Sequence, residues 1–366
     1  MKVLFAAGGT GGHINPALSV AQELKKRCPD ADILFVGTAD KMESKLVPAA
    51  GFDFTTIKIS GFQRKITIKN IFRNIQTIVY LMLSFFQVRK LLKEFKPDAV
   101  IGFGGYVSGP VVRAAAKKGI KTLIHEQNAY PGIANKALAK LVDKTLLTVE
   151  DASKLMSPKN KPIVTGLPIR DEIINADKET ARKKLGLDDK PLIFSTGGSL
   201  GARTINEVMV ELIVAKHKDE VHFIHGYGQY GKWVPERLSQ KGVDLTAENI
   251  DVREYIYDMA DCLAAADIVI SRAGASSLSE IQALGKTAIL IPSPNVAENH
   301  QYHNAMALVN NDAAIVFEEK DLTANKLIDA VNDLLNDREK LARIGFNAKK
   351  MAKLDAKEKI CNEILE

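Results

Sequence analysis

The feature that most constrains the fold is a recurring order of an apolar run, a turn and an amphipathic segment. In the first half, the apolar runs cover residues 3–7, 33–36, 99–101, 122–124 and 145–148. In the second half, they cover residues 192–195, 221–225, 268–270 and 288–291. Helical patterns lie between several of them. This alternation predicts an α/β fold with doubly wound parallel sheets.

The two halves also resemble each other in sequence, since KVLFAAGG at residues 2–9 is echoed by PLIFSTGG at residues 191–198. A chain of 366 residues is long enough for two domains. We therefore predict two Rossmann-like domains that face a cleft, with ligands at the carboxyl ends of strands. The first domain should cover residues 1–164 and the second residues 165–341. A C-terminal helix of about residues 342–366 should pack back on the first.

The positive charge is concentrated in one segment. Lysine and arginine exceed aspartate and glutamate by 6 in the whole chain. Residues 58–96 hold nine basic residues and one acidic residue, a net charge of +8, so the remaining 327 residues carry −2. A nucleic-acid-binding domain usually carries its positive charge along a whole face. We expect no nucleic-acid partner and a local role for this segment.

The cysteines and the apolar runs indicate the compartment. Cys28, Cys262 and Cys361 are odd in number and lack metal-ligand spacing, which favours a reduced, cytoplasmic environment. The first apolar run is too short for a signal peptide. The longest uncharged apolar stretch, residues 74–88, has 15 residues, whereas a spanning helix needs about 20. We expect no membrane span.

The first glycine loop, GGTGGH at residues 8–13, stands between a strand and a helix. No Lys-Ser/Thr pair follows it, which excludes a Walker A loop, and the dinucleotide fingerprint is broken at His13 and Ile14. Such a loop lets a ligand approach the backbone, and the helix N-terminus favours negative charge. A plain strand-turn-helix connection remains the alternative.

His13 begins the predicted first helix, where a neutral imidazole could accept a proton from a substrate hydroxyl. Taken alone, a capping or structural histidine is the more common interpretation. We find no spacing for a zinc site. The DxD pattern of Asp30 and Asp32 precedes a strand, so we place it at the amino edge of the sheet and interpret it as a turn.

Other loops at the same edge carry polar groups. In the first half, residues 104–106 and 125–128 follow neighbouring strands and suit a polyhydroxylated ligand. In the second half, residues 196–202 with Ser199 could hold a diphosphate. Glu280 could bind ribose hydroxyls or lie on a solvated helix face, and residues 294–301 suit sugar hydroxyls.

Six motifs occur in order along nearly the whole chain: GGTGGH at 8–13, GGYVS at 104–108, HEQN at 125–128, GGSLGA at 197–202, SSLSE at 276–280 and ENHQ at 298–301. Together they resemble the MurG family, the UDP-N-acetylglucosamine (UDP-GlcNAc):lipid I N-acetylglucosaminyltransferases of peptidoglycan synthesis. The resemblance implies a GT-B fold and no cofactor or protein-bound metal. It also implies an inverting transfer of GlcNAc to the C4 hydroxyl of N-acetylmuramic acid (MurNAc) in lipid I, which gives lipid II.

The resemblance also implies roles for single residues. His13 matches the proposed general base. Donor contacts are expected from Thr10, Gly11, Gly12, Asn128, Arg170, Ser199, Ile256, Glu280 and Gln301. Acceptor contacts are expected from Gly104, Gly105, Tyr106, His125, Glu126 and Asn128, with Gly11 and Gly12 near the acceptor as well.

Among the donor contacts, Ser199 and Arg170 should meet the diphosphate, and the Ile256 backbone should meet the uracil. Glu280 should hold the ribose and Gln301 the sugar. His300 stands at a position that varies in the family.

A lipid-linked acceptor explains the basic segment, because basic and apolar residues together dock on anionic lipid. The expected membrane contacts are Arg64, Lys65, Ile68, Lys69, Ile71, Phe72, Arg73 and Ile75. We interpret residues 78–92 instead as a helix whose apolar residues face the core. The protein should then be peripheral, at the cytoplasmic face of the cell membrane.

The expected partners are UDP-GlcNAc, lipid I and the anionic inner-membrane surface, with room for other cell-wall synthesis proteins. Two alternatives stay open. One is a related GT-B glycosyltransferase that acts on another lipid, such as diacylglycerol. The other is a nucleotide-sugar-binding protein without turnover.

Overall fold

The computed structural model describes residues 1–61 and 67–366. The chain forms two compact units. The first comprises Met1–Pro168 and Leu354–Glu366, and the second comprises Ile169–Lys353. The division falls four residues later than the expected end of the first domain at residue 164.

The first unit is built on a parallel sheet with the order β3-β2-β1-β4-β5-β6-β7 among its described residues. Its strands are β1 Lys2–Ala6, β2 Asp32–Gly37, β3 Asp53–Thr56, β4 Ala99–Gly102, β5 Lys121–Glu126, β6 Lys144–Leu147 and β7 Ile163–Val164. Chain order reverses between β1 and β4, so the loops that follow β1, β4 and β5 meet at one edge.

The strands of this sheet are apolar on both faces. In β1, Val3 and Phe5 pack into one buried cluster, while Leu4 and Ala6 pack into the cluster on the opposite face. Helices therefore cover both faces. They are α1 Gly11–Arg27, α2 Glu43–Ala49, α3 Ile68–Phe95, α4 Gly105–Lys117 and α5 Ile133–Ala139, with a 3-10 turn at Glu150–Leu155.

The second unit repeats this plan with the strand order β10-β9-β8-β11-β12-β13. Its strands are β8 Leu192–Thr196, β9 His222–Gly226, β10 Ile250–Arg253, β11 Ile268–Ser271, β12 Thr287–Leu290 and β13 Ile315–Val316. Leu192 and Phe194 face one buried cluster and Ile193 the other. All nine apolar runs identified in the sequence overlap observed strands. The short strands β3, β7, β10 and β13 carry weaker patterns and were not predicted.

Helices flank the second sheet as well. They are α6 Asp171–Ile174, α7 Lys178–Lys184, α8 Arg203–Lys216, α9 Val234–Gln240, α10 Met259–Ala265, α11 Ala275–Leu284, α12 His300–Val309, α13 Ala324–Asn336 and α14 Arg338–Met351. Two 3-10 turns lie at Gln229–Gly231 and Ala297–Asn299.

The C-terminal region differs from the expected single helix. It forms α14 in the second unit and a separate helix, α15 Ala356–Leu365, in the first. Ile360, Cys361 and Ile364 of α15 are buried in the cluster that contains Val3 and Phe5. Only the last of the two helices therefore packs on the first unit.

α3 exposes most of its apolar residues, so the prediction of a core-facing helix at residues 78–92 was wrong for most of that helix. Among the side chains of α3 that the structure describes, Thr77, Ser84, Val88 and Leu92 are buried and form one narrow stripe. The large exposed apolar residues in the same set are Phe72, Ile75, Ile78, Val79, Leu81, Met82, Leu83, Phe85 and Phe86. A helix that is apolar all round does not reveal which side is covered.

One segment among the described residues, Asn74–Phe95, is long and apolar enough to cross a membrane by length and composition, with a mean hydropathy of 1.2. Val88 and Leu92 of this segment pack into a core cluster of the first unit together with Val100 and Val112. We therefore interpret it as a helix of the folded unit with an exposed apolar side.

Of the eight expected membrane contacts, the structure describes the exposure of two, Phe72 and Ile75, and only the backbone of four others. Arg64 and Lys65 lie outside the described residues. Ile68, Lys69, Ile71 and Arg73 belong to the first two turns of α3, where their backbone is described. Phe72 and Ile75 lie in the same turns and are 69% and 53% exposed.

Candidate active site

The glycine loop after β1 holds His13 in the first turn of α1. The Nδ1 atom of His13 lies 3.2 Å from the Gly8 carbonyl oxygen and 3.3 Å from the Thr10 hydroxyl. A carbonyl oxygen only accepts, so a hydrogen bond from Nδ1 to Gly8 places the proton of neutral His13 on Nδ1, with the Thr10 hydroxyl then accepting or turned away. Nε2 then carries the lone pair, which is the state that a general base needs.

Two further glycines lie against this loop. A Cβ atom at Gly104 would come within 2.9 Å of the His13 ring, and a Cβ at Gly105 would collide with the Gly8 carbonyl. Both residues have positive φ, 95° and 77°, which glycine adopts without strain. The structure thus brings Gly104 and Gly105 together with Gly8 and His13, as their positions after adjacent strands predicted.

His125 and Glu126 are buried and bonded within the protein, so their expected contact with the acceptor is corrected to a supporting role. His125 Nε2 donates to the Gly166 carbonyl oxygen at 2.8 Å. Glu126 accepts from the backbone N–H groups of Asn128 and Gly132 and from the Asn135 amide at 2.8 Å. A carboxylate with these donors has little capacity left for a substrate.

Two residues expected to contact the substrate, Asn128 and Tyr106, are less buried than His125 and Glu126. Asn128 is half-buried, and its side-chain amide lies 3.3 Å from a Glu126 oxygen. Tyr106, in the first turn of α4, is 62% exposed, and its ring lies against the backbone of Gly61. Tyr106 is exposed and Asn128 is half-buried, and their contacts with substrate stay predictions.

In the second unit, the loop at residues 197–202 connects β8 to α8. Ser199 in this loop is exposed. Gly198 and Gly201 have positive φ, 86° and 81°, which turn the chain sharply before the helix begins at Arg203. The N-terminus of a helix after such a loop favours an anion. The contact of Ser199 with a phosphate group stays a prediction.

Arg170 and Glu280, which are 110 residues apart in the chain, form an ion pair. Arg170 Nη2 donates to Glu280 Oε1 at 3.2 Å, and Nη1 donates to Glu172 at 2.7 Å. Burial raises the pKa of Glu280, and the Arg170 guanidinium partly opposes this effect. The structure thus joins the residue expected at the ribose to the residue expected at the diphosphate.

The side chains of Ile256 and Gln301 both make contacts within the second unit. The side chain of Ile256 is buried, and a Cβ atom at Gly226 would lie within 2.8 Å of it. The side chain of Ile256 is therefore not available to a base, and a contact of its backbone with uracil stays a prediction. Gln301 Oε1 accepts from the backbone N–H of Ser293 at 2.9 Å, which closes the loop between β12 and α12. The loop holds Glu298 and Asn299 in the left-handed conformation.

A cavity of about 660 Å³ lies at the opposite edge of the first sheet. It is lined by Asp30, Asp32 and Asp53 together with Lys25 and Lys26. Asp32 begins β2, as predicted for the amino edge. In the described ranges, no group of three or more His, Cys, Asp or Glu side chains could hold a metal ion. The candidate site of the first unit is therefore placed at the carboxyl edge of its sheet, where Gly8, Gly104 and Gly105 lie against His13 and one another.

Glu43 was missed by the sequence analysis. It is fully buried, and its carboxylate accepts a hydrogen bond from the backbone of the first glycine loop at Gly9. It lies 34 residues from this partner, in a short helix without a recognisable motif. No local signal in the sequence indicated this contact.

Comparison with known families identifies the class of protein. The model of the glycosyltransferase family 28 N-terminal domain matches residues 3–147, and that of the family 28 C-terminal domain matches residues 192–360. The chain is therefore a family 28 glycosyltransferase with an α/β GT-B fold of two Rossmann-like units, which confirms the predicted fold class. The expected cleft stays a prediction.

Individual relatives narrow the class. Two are named UDP-N-acetylglucosamine--N-acetylmuramyl-(pentapeptide) pyrophosphoryl-undecaprenol N-acetylglucosamine transferase. The one from Thermoanaerobacter sp. (strain X514) is 48% identical over 98% of both chains. The one from Acetivibrio thermocellus is 44% identical over 98% of this chain and 96% of its own.

The crystal structure of Acinetobacter baumannii MurG is 28% identical, covers 100% of this chain and 99% of its own, and superposes with a TM-score of 0.78. The chain belongs to the MurG family of N-acetylglucosamine transferases, which confirms the resemblance.

The buried histidine His125 should make the fold sensitive to acid. Burial lowers the pKa of His125 to about 4, against 6.5 for an ordinary histidine. The unfolded chain therefore takes up a proton below about pH 6.5, while the folded chain does so only near pH 4. Stability should fall over this window, by up to about 3 kcal/mol for this group.

His125→Gln tests this, since glutamine can still donate to Gly166 but does not titrate. We expect the variant to be less stable at pH 7.5 and to close the gap to the wild type as the pH falls to 5. Urea unfolding at several pH values measures this. Parallel curves for the two proteins would contradict the assignment.

For Glu280→Gln we expect the Michaelis constant for UDP-GlcNAc to rise about tenfold, because a neutral amide binds ribose hydroxyls less well than a carboxylate. The raised pKa of Glu280 means that its charge costs stability at neutral pH. The melting temperature at pH 7.5 should therefore not fall, and any gain should vanish in acid.

The matched control is Glu172→Gln, which removes the exposed partner of the same Arg170. It should leave the Michaelis constant unchanged. Equal effects of the two substitutions would show that Glu280 acts only through Arg170.

Proposed function

We propose that the protein transfers GlcNAc from UDP-GlcNAc to the C4 hydroxyl of MurNAc in lipid I, with inversion, to form lipid II. Membership of the MurG family over the full length of the chain is the observation that carries this proposal. The relatives' printed names specify both the donor and a lipid-linked acceptor.

His13 supplies the general base of this reaction. Its Nδ1 proton is directed to Gly8, so Nε2 can take the proton of the acceptor hydroxyl. As that proton leaves, the hydroxyl oxygen forms a bond to the anomeric carbon. The bond from this carbon to the β-phosphate oxygen breaks, and UDP departs with the electron pair. A single displacement of this kind inverts the anomeric centre.

The second unit binds the donor. The loop with Ser199 and the N-terminus of α8 receive the diphosphate, and Glu280 holds the ribose. Arg170 stabilises the negative charge that develops on UDP. We infer that these groups perform the task that a metal ion performs in other transferases, so the reaction needs no protein-bound metal or other cofactor.

We expect His13→Ala to lower kcat about 10²-fold or more and to leave the Michaelis constant for UDP-GlcNAc nearly unchanged, because it removes the base but no donor contact. UDP release in the presence of lipid I measures both. Near-normal turnover would exclude His13 as the base. Release with diacylglycerol but not with lipid I would instead identify the related lipid glycosyltransferase.

We also propose that the protein docks peripherally on the cytoplasmic face of the cell membrane through the exposed apolar side of α3 and the basic residues near its start in the sequence. The exposed apolar side of α3 includes Phe72 and Phe86, 69% and 66% exposed. Basic residues accompany it in the sequence, including Arg64, Lys65 and Lys69. Each cation near an anionic surface contributes about 1 kcal/mol, and the aromatic side chains add apolar burial.

We expect the double substitution Phe72→Ser and Phe86→Ser to reduce co-sedimentation with vesicles that contain anionic lipid, because it removes two aromatic rings that would insert into the lipid. Phe346→Ser is the matched control, since Phe346 is 59% exposed in the second unit. Wild-type binding should weaken as salt rises. Binding that is indifferent to salt and anionic lipid would contradict the proposed surface.

A further inference from the structure

The buried carboxylate of Glu43 lies directly beneath the loop that carries His13. Glu43 begins α2 and is fully buried. Its Oε2 accepts from the backbone N–H of Gly9 at 3.1 Å, while Oε1 accepts from the backbone N–H and the hydroxyl of Thr38 at 3.0 and 2.8 Å. The carboxylate thus ties together the ends of the neighbouring strands β1 and β2.

Two glycines make room for this carboxylate. A Cβ atom at Gly8 would lie 2.7 Å from Glu43 Oε1, and a Cβ at Gly37 would lie 2.5 Å from Glu43 Cγ. Any side chain at either position would displace the glutamate. Glycine at positions 8 and 37 therefore leaves the space in which the Glu43 side chain packs beneath the loop. This is a separate reason for glycine from the approach of a ligand to the loop backbone.

The peptide group between Gly8 and Gly9 connects Glu43 to His13. Its N–H donates to the Glu43 carboxylate, and its carbonyl oxygen accepts from His13 Nδ1 at 3.2 Å. The N–H and the carbonyl of a trans peptide point in opposite directions, so the same peptide plane can bind Glu43 on one side and His13 on the other. Hydrogen bonds in such a chain polarise one another, and the buried negative charge strengthens the acceptor at Gly8.

We propose that Glu43 is a positioning residue for the general base. Its carboxylate fixes the Gly8–Gly9 peptide, so that the Gly8 carbonyl holds the Nδ1 proton of His13 and directs the lone pair of Nε2 to the acceptor hydroxyl. This inference rests on the proposed role of His13. A second consequence is that the N–H of Gly9 points inward, which leaves the start of α1 at Gly11 and Gly12 to meet a ligand.

The tautomer of His13 is a direct test, and it can be measured without substrate. In ¹⁵N-labelled wild-type protein near neutral pH, we expect the nitrogen shifts of His13 to show the proton on Nδ1. In Glu43→Gln, the amide presents N–H to one of its former donors, so the peptide should tilt and the Nε2–H tautomer should become populated. A wild-type His13 with its proton on Nε2 would overturn the proposal, whatever the variant does.

Kinetics provide the second test. We expect Glu43→Gln to lower kcat about tenfold or more, with the Michaelis constant for UDP-GlcNAc within twofold of the wild type, because only the base is disturbed. Unchanged kcat in a folded Glu43→Gln variant would refute the role of Glu43.

Asp143→Asn is the matched control. The Asp143 carboxylate accepts from the backbone N–H and the hydroxyl of Thr122 at 2.9 and 3.0 Å, at the amino edge of the same sheet. This substitution should cost stability but alter neither kcat nor the tautomer of His13. An equal loss of kcat in both variants, in step with their loss of stability, would show that Glu43 is only structural.

The two levels of the proposal can fail separately. Normal turnover of His13→Ala would exclude His13 as the general base. The tautomer measurement would still report whether Glu43 orients the imidazole. A reduced kcat of His13→Ala, together with an unaltered tautomer in Glu43→Gln, would retain the base and reject Glu43 as its positioning residue.

Discussion

The close approach of backbone segments at the carboxyl end of β1 is the constraint on which the first unit's site depends. Gly8 is enclosed by the Glu43 carboxylate on one side and by Gly105 on another, and its carbonyl holds His13. None of these contacts leaves space for a Cβ atom. Because protein interiors are close-packed, a methyl group added at Gly8 would displace Glu43, and one added at Gly104 would displace the imidazole of His13.

The second unit places a carboxylate and a guanidinium side by side in a largely buried position. Glu280 is largely buried and its charge is unfavourable, but Arg170 lies within 3.2 Å and offsets part of the cost. Ser199 and the start of α8 remain open to solvent. If Glu280 holds the ribose as proposed, stability and ligand recognition compete at this residue, as is common where a functional site requires a buried charge.

The helix α3 shows how far a sequence pattern can be used. Its apolar residues occur all round the helix, so the pattern predicted a helix but not its buried side. The structure buries Thr77, Ser84, Val88 and Leu92 and exposes Phe72, Phe85 and Phe86. Burial of a helix depends on the elements that pack against it, and these lie far away in the chain.

The sequence by itself determined the alternation of strands and helices, the two-unit plan, the positions of the glycine loops and the family. These follow from local periodicity and from motifs of a few consecutive residues. Only the tertiary structure decided that His125 and Glu126 are buried supports, that Arg170 pairs with Glu280 and that Glu43 lies beneath Gly9. The physical reason is that burial depends on which elements pack together, and that the partners of His125, Glu280 and Glu43 lie 34 to 110 residues away in the chain, which a local pattern does not encode.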